Sequence, residues 1–214
     1  MKTYLIYTLT SGAPVSVTLM FLIGISSLYG IFSDYYSRKL ILHPFGIFNK
    51  KEYYRLFTSD LIHNDAGHLL MNEAMFYLIC VNLEQTLNKQ WDLGSWYFAV
   101  IYFTGYFSGV LIITYRYRND FNYTSAGASG SIMGCMMSFM ILKPHYTAMY
   151  LPVFGEIENS IAAVLFILVL IVYQYKTKNS MMNNELHFYC ALGGILITLA
   201  IFPCVINLTG LLPR

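Results

Sequence analysis

Apolar runs of membrane-helix length alternate with short polar or helix-breaking segments along this chain. The first, about residues 13–32, is apolar throughout and ends at Asp34 and the pair Arg38-Lys39. Roughly 20 such residues cross the hydrocarbon core of a bilayer, so the run is read as a span. The stretch at 40–62 differs. It mixes Pro44, Gly46 and Lys50-Lys51 with Tyr53, Tyr54 and Phe57, too polar to cross lipid and too apolar for an ordinary loop. An element lying in the headgroup region, aromatics at the boundary, is the expectation.

A second span is expected at about 66–87, with His63 just before it and His68, Asn72 and Glu73 in its first two turns. The third, at 94–115, carries Gly105-x-x-x-Gly109, and the polar loop 116–123 follows it. The fourth, at 124–142, holds the small-residue run from Ser125 to Gly134 and stops at Lys143-Pro144. The link onward to Pro152 and Gly155 is read as interfacial. A fifth span is expected at 161–175 and, after the polar loop 176–185, a sixth at 186–208, beginning with His187 and containing Gly193, Gly194 and Pro203. The pattern therefore predicts an all-α membrane protein, one integral membrane domain over residues 1–214 with six spans.

Composition agrees. Of 214 residues 57% are hydrophobic and 11% charged, against about 25% charged in soluble domains. A net charge of +2 with scattered basic residues gives no footprint for nucleic acid. Cys80, Cys135, Cys190 and Cys204 fall in apolar runs without Cys-x-x-Cys spacing, which argues for buried small hydrophobes over disulfides or zinc. No cofactor or metal is expected, and the absence of His-Glu-x-x-His argues against an intramembrane zinc protease. Residues 1–10 lack a basic region leading to a small-residue cleavage site, so the first run is read as retained. The spans show no inverted repeat of the kind transporters use.

The candidate chemistry centres on Ser129, framed by Gly127 and Gly130. Such a run serves either close helix packing, as the spacing of Gly130 and Gly134 fits, or the close approach of a substrate. Parity adds a constraint. His68 and Asn72, Ser129, and His187 all lie near the starts of even-numbered spans, which places them near one membrane face. His68 and Asn72, four apart, share one side of a helix. A serine, a histidine able to take its proton, and donors for an oxyanion are the parts of a serine hydrolase. Polar side chains at membrane depth are costly and mark sites or partnered groups. His63 reads equally as an interfacial residue or part of the site, His43 and His145 as interfacial or loop residues, and Glu73 has no assigned partner.

These motifs, taken together and in order, resemble the rhomboid intramembrane serine proteases in their compact six-helix bacterial form. The resemblance covers about residues 44–194 and rests on Tyr54-Arg55, His63-x4-His68-x3-Asn72, Leu83-Glu84, Gly127-Ala128-Ser129-Gly130, and His187 with Gly194. It implies Ser129 as nucleophile and His187 as general base, with His68, Asn72 and the backbone of Ala128 and Ser129 forming an oxyanion hole. It further implies that Arg55 and Glu84 hold the first loop and its supporting helix together, and that Gly127, Gly130, Gly134, residue 190 and Gly194 serve helix packing. The implied partners are transmembrane protein substrates and the lipid bilayer, and the implied location is a multi-pass protein of a bacterial inner membrane.

Three departures from the family pattern stand out. Tyr54 replaces the usual tryptophan. Cys190 occupies a position usually held by glycine at a tight crossing. Met133 stands where some members carry a tyrosine against the histidine ring. A rival register would align Ala191-Leu192-Gly193-Gly194 with His-Leu-Gly-Gly, put alanine at the base position and make the chain an inactive client-binding relative; His187 is preferred because it keeps Gly194 seven residues on. Orientation pulls two ways. Lys2, Lys89, Lys143 and Arg214 lie on the N-terminal side and the other basic residues on the face of the site, so the positive-inside rule would turn the site to the cytoplasm. The resemblance implies the reverse, which we take, since five of those basic residues, Arg38, Lys39, Lys50, Lys51 and Arg55, belong to the long interfacial segment after the first span.

Overall fold

Proline and small hydroxyl residues start the first long helix, α1 (Pro14–Phe32), whose proline occupies the first turn, where a missing N–H costs nothing. The computed structural model describes residues 12–151, 155–176 and 183–204. The readings for residues 1–10, for Pro152, for most of the loop at 176–185, for the end of the sixth run and for Lys2 and Arg214 lie outside the described residues.

Four short elements follow α1: α2 (Asp34–Leu40), α3 (Pro44–Lys50), α4 (Arg55–Thr58) and a 3-10 turn (Ser59–Leu61). The second run forms α5 (Ala66–Phe76), which passes through a π turn (Tyr77–Val81) into α6 (Asn82–Gln90). Then come α7 (Gly94–Arg116), α8 (Ser129–Leu142), a hairpin of β1 (Thr147–Leu151) and β2 (Gly155–Glu158), α9 (Asn159–Lys176) and α10 (Asn184–Ile201). α1, α7 and α10 are long and apolar enough to cross a membrane, and α8 and residues 159–172 of α9 are shorter apolar helices. Large apolar side chains also cover the outside: Phe21, Ile25, Leu70, Leu111 and Val164 are exposed. An exterior as apolar as the interior suits a lipid solvent.

Two expectations are corrected here. The fourth run does not become helical at Thr124. Residues 124–128 stay extended or turned, Ser125 pairs antiparallel with Leu42 through bonds of 2.8 and 3.1 Å, and the helix begins at Ser129. The chain is also not purely helical, because the link after α8 forms the antiparallel hairpin β1–β2.

The centre is a three-helix crossing. α10 packs against both α7 and α8, and α8 against α7. A Cβ on Gly105 would come within 3.2 Å of the Gly134 Cα, and one on Gly134 within 3.2 Å of the Cys190 carbonyl. Hydroxyls fasten the same crossing. Ser108 donates to the Tyr189 carbonyl at 2.9 Å, Ser138 to the Gly194 carbonyl at 3.1 Å, and Thr198 to Ser138 at 2.7 Å. In lipid, where apolar burial gives little drive, such close backbone approach and interhelical bonds are what hold helices together. Around it, Phe76, Leu83, Phe98, Tyr102 and Ile132 fill the core towards α1.

Candidate active site

Gly127 sets the entry into α8. Its φ of +114 is a conformation that only glycine adopts freely, and a Cβ there would press on the rings of His68 and His63 at 3.0 and 3.2 Å. Its N–H donates to the Ser59 carbonyl at 2.9 Å. The turn leaves Ser129 as the first residue of α8, where backbone N–H groups have no partner within the helix and carry its positive end.

His187 approaches from α10, whose start is capped by the Asn183 side chain accepting from the Leu186 N–H at 3.2 Å. Ser129 Oγ and His187 Nε2 lie 2.8 Å apart. His187 is 5% exposed, and among the described residues its buried Nδ1 has no hydrogen-bond partner. Ala191, the residue of the rival register, instead joins the apolar cluster of Met137 and Leu170.

His68 and Asn72 are placed by α5. Asp65 caps that helix by accepting the His68 N–H at 2.8 Å, and Asn72 Nδ2 donates to the His68 carbonyl at 2.9 Å, which leaves its second N–H for other use. Both line, with Ser129 and His187, a cavity of about 1150 Å³. Its apolar side carries Met71, Met75, Met133 and Met136. Four sequence-predicted residues from three helices thus meet in one place.

The Ala128 amide is spoken for elsewhere. It donates to His63 Nε2 at 3.3 Å, while His63 Nδ1 lies 2.9 Å from Ser27 Oγ. Ser27 has a single hydroxyl proton and gives it to the Leu61 carbonyl at 2.9 Å. It can therefore only accept from His63, which fixes the proton on Nδ1 and leaves Nε2 to receive the Ala128 N–H. Burial, helped by the adjacent His68 ring, pulls the His63 pKa down to about 4, so the ring stays neutral and the chain of bonds intact. The expected oxyanion donor at Ala128 is corrected accordingly: that amide belongs to the loop scaffold, and His63 is the residue that holds it.

Arg55 and Glu84 are both buried, with different duties. Arg55 donates to the carbonyls of Arg38 and Ile41 at 2.8 and 2.9 Å and to Glu52 at 2.7 Å, which closes the first loop on itself. Glu84 does not reach that loop. Its carboxylate accepts the N–H groups of Val15 and Ser16 at 3.0 and 2.7 Å and the Ser16 hydroxyl at 2.6 Å, satisfying the orphan amides that start α1. Among the described residues one buried carboxyl oxygen of Glu73 has no hydrogen-bond partner; it lies near Gly24 of α1.

The family model of the Rhomboid domain matches residues 50–204. The chain belongs to the rhomboid family. It is thereby a member of a family of intramembrane proteases, and its apolar helices make it an integral membrane protein. No curated protein matches it. Measured against the rhomboid pattern, Cys190 is absorbed by glycines on both facing helices: a Cβ on Gly130 would lie 3.0 Å from Cys190 Sγ, and one on Gly109 would lie 3.3 Å from the Cys190 N. Sγ contacts the Tyr106 carbonyl at 3.6 Å. Restoring the usual residue should therefore weaken this rhomboid. Cys190→Gly is expected to cost about 1–2 kcal/mol, from a void and an interior helix glycine, without a gain in Ser129 reactivity; thermal unfolding and active-site labelling of the purified variant check both.

Proposed function

We propose that the chain is an intramembrane serine endopeptidase that cuts transmembrane substrates near the membrane surface with Ser129 and His187. One observation carries the reading: the 2.8 Å approach of Ser129 Oγ to His187 Nε2 inside a cavity shared with His68 and Asn72. In the proposed reaction, Nε2 takes the Oγ proton as Oγ attacks the scissile carbonyl carbon. His187 carries its resting proton on Nδ1, and among the described residues no carboxylate supports it. The carbonyl oxygen, now negative, is held by the His68 ring, the free N–H of Asn72 and the Ser129 backbone N–H at the positive end of α8. His187 then protonates the leaving amine, the C–N bond breaks, and an ester to Ser129 remains. Water, deprotonated by His187, releases the acid product and regenerates the hydroxyl.

On this reading residues 1–214 form one domain of six spans: α1, α5 to α6, α7, α8, α9 and α10. α2, α3 and α4 form an interfacial first loop, and the protein sits in a bacterial inner membrane with transmembrane proteins as its substrates. No cofactor has a step to perform. The test is labelling of the purified protein by a fluorophosphonate. Wild type should label at Ser129, and His187→Ala should lose the label. An unlabelled wild type would instead fit a client-binding relative that does not cut.

A further inference from the structure

Asp60 is a buried carboxyl in the first loop that the reaction does not use. It is 4% exposed, and among the described residues it takes part in no ion pair. Tyr102 of α7 donates to its Oδ2 at 2.5 Å, and Ser131 of α8, two residues beyond Ser129, donates to its Oδ1. The neighbouring Ser59 extends the same junction. Its carbonyl accepts the Gly127 N–H, and its hydroxyl lies 2.8 Å from the Tyr106 hydroxyl. The other titratable groups facing Asp60 are Tyr106, Cys80 of the π turn and Cys190 of α10.

We propose that Asp60 is a positioning residue: its ionised carboxylate, accepting from Ser131 and Tyr102 together, holds the start of α8, and so Ser129, against the first loop. The proposal rests on reading Ser129 as the nucleophile. Donor counting gives it a direction. As an anion Asp60 can accept both hydroxyls at full strength. Once protonated, one oxygen becomes a donor, so one hydroxyl must turn away, and a helical serine has an alternative acceptor in its own preceding turn. The two states are close in energy. Burial without a cation raises the carboxyl pKa, and the bonds from Ser131 and Tyr102 pull it partly back, to about 6. A carboxyl raised in the folded state binds its proton more tightly there than in the unfolded chain. Its stabilising contribution is therefore present at low pH and lost as pH rises through about 6. The junction thus trades stability for a fixed Ser129 as the carboxyl ionises.

The experiment uses the full chain in detergent and follows fluorophosphonate labelling of Ser129 and thermal unfolding from about pH 5 to about pH 8. In wild type, labelling should gain a step, and the unfolding temperature should fall, near pH 6. Asp60→Asn should lose both changes and, at about pH 7.5, label about tenfold more slowly, the scale of loss that a small misplacement of a reacting group gives. Equal labelling of D60N and wild type at every pH overturns the proposal, even if D60N is more stable, because the residue would then be structural only. Should D60N not fold, Ser131→Ala keeps the carboxyl and cuts its tie to α8; slower labelling at about pH 7.5 supports the proposal, and wild-type labelling overturns it. Failure of the nucleophile reading shows separately, as a wild type that no pH renders reactive. Hydrogen exchange at the Gly127 and Ser129 amides then decides: faster exchange in D60N at matched pH supports the tie, and equal exchange overturns it.

Discussion

Ser129→Ala is expected to abolish cleavage of a transmembrane substrate and to leave the protein folded. The expected loss in kcat is on the order of 10⁴ or more, because deleting the nucleophile of a serine hydrolase leaves only binding and oxyanion stabilisation. The fold is spared for local reasons. Alanine is the best helix former, and the hydroxyl's bond to His187 faces a cavity in which water replaces Oγ. Unfolding midpoints of mutant and wild type should therefore agree to within about 0.5 kcal/mol, the usual range for a change that removes no core contact. On the proposed mechanism Ser129 and His187 act as a unit, so the double variant with His187→Ala should be no slower than either single one. Cleavage by Ser129→Ala at the wild-type rate, followed by gel assay on a reconstituted substrate, would sink the assignment.

The meeting of Ser129 with His187 was legible because it needs only order and parity: the runs that carry them start at one face, and both residues sit near those starts. Where α8 begins was not legible. Residues 124–128 are small and uncharged, like the Ser129-Gly130-Ser131 start of the helix they precede, and what keeps them out of it is the positive φ of Gly127 together with the pairing of Ser125 and Leu42 across 83 residues of sequence. Neither is visible in a hydropathy pattern. The partner of Glu84 was hidden for a similar reason, since Ser16 lies 68 residues away and capping by a distant carboxylate leaves no local signature. The Ala128 amide could be assigned only by counting protons around Ser27 and His63, a matter of three-dimensional donors and acceptors.

Asp60 did leave a signal. It is a carboxylate directly before Leu61-Ile62, in a segment whose other charges are basic or, in the case of Glu52, paired with Arg55. The hydropathy pattern hid it because the whole stretch at 40–62 reads as interfacial, where one more charge attracts no notice. Only the closing of α7 and α8 over it makes it a buried group that must be explained. Cys190 shows the converse. Its departure from the family pattern looked costly in sequence, yet Gly109 and Gly130 on the facing helices make the room it needs.

The crossing also yields the largest structural prediction: Gly194→Ala should cost more than a methyl added at Gly105 or Gly134 of the same crossing. A Cβ on Gly194 would lie 2.7 Å from the Gly134 Cα, and the other atoms it meets are also backbone. No side chain can rotate aside, so the two helices must part. Overpacking of this kind costs about 1–3 kcal/mol, and more where the obstacle cannot move. The separation also strains the bond from Ser138 to the Gly194 carbonyl, one of the interhelical ties of the crossing. Function suffers by leverage. Gly194 is seven residues, about two helical turns, beyond His187, so pushing α10 off α8 there draws the imidazole back from Ser129 and lengthens a contact of 2.8 Å. The expected readout is a lower unfolding temperature together with loss of fluorophosphonate labelling. Leu196→Ala, on the exposed side of the same helix, should change neither by more than about 0.5 kcal/mol equivalent. A Gly194→Ala protein that folds and labels like wild type would mean that the crossing does not set the distance between serine and histidine, and that the first loop alone does.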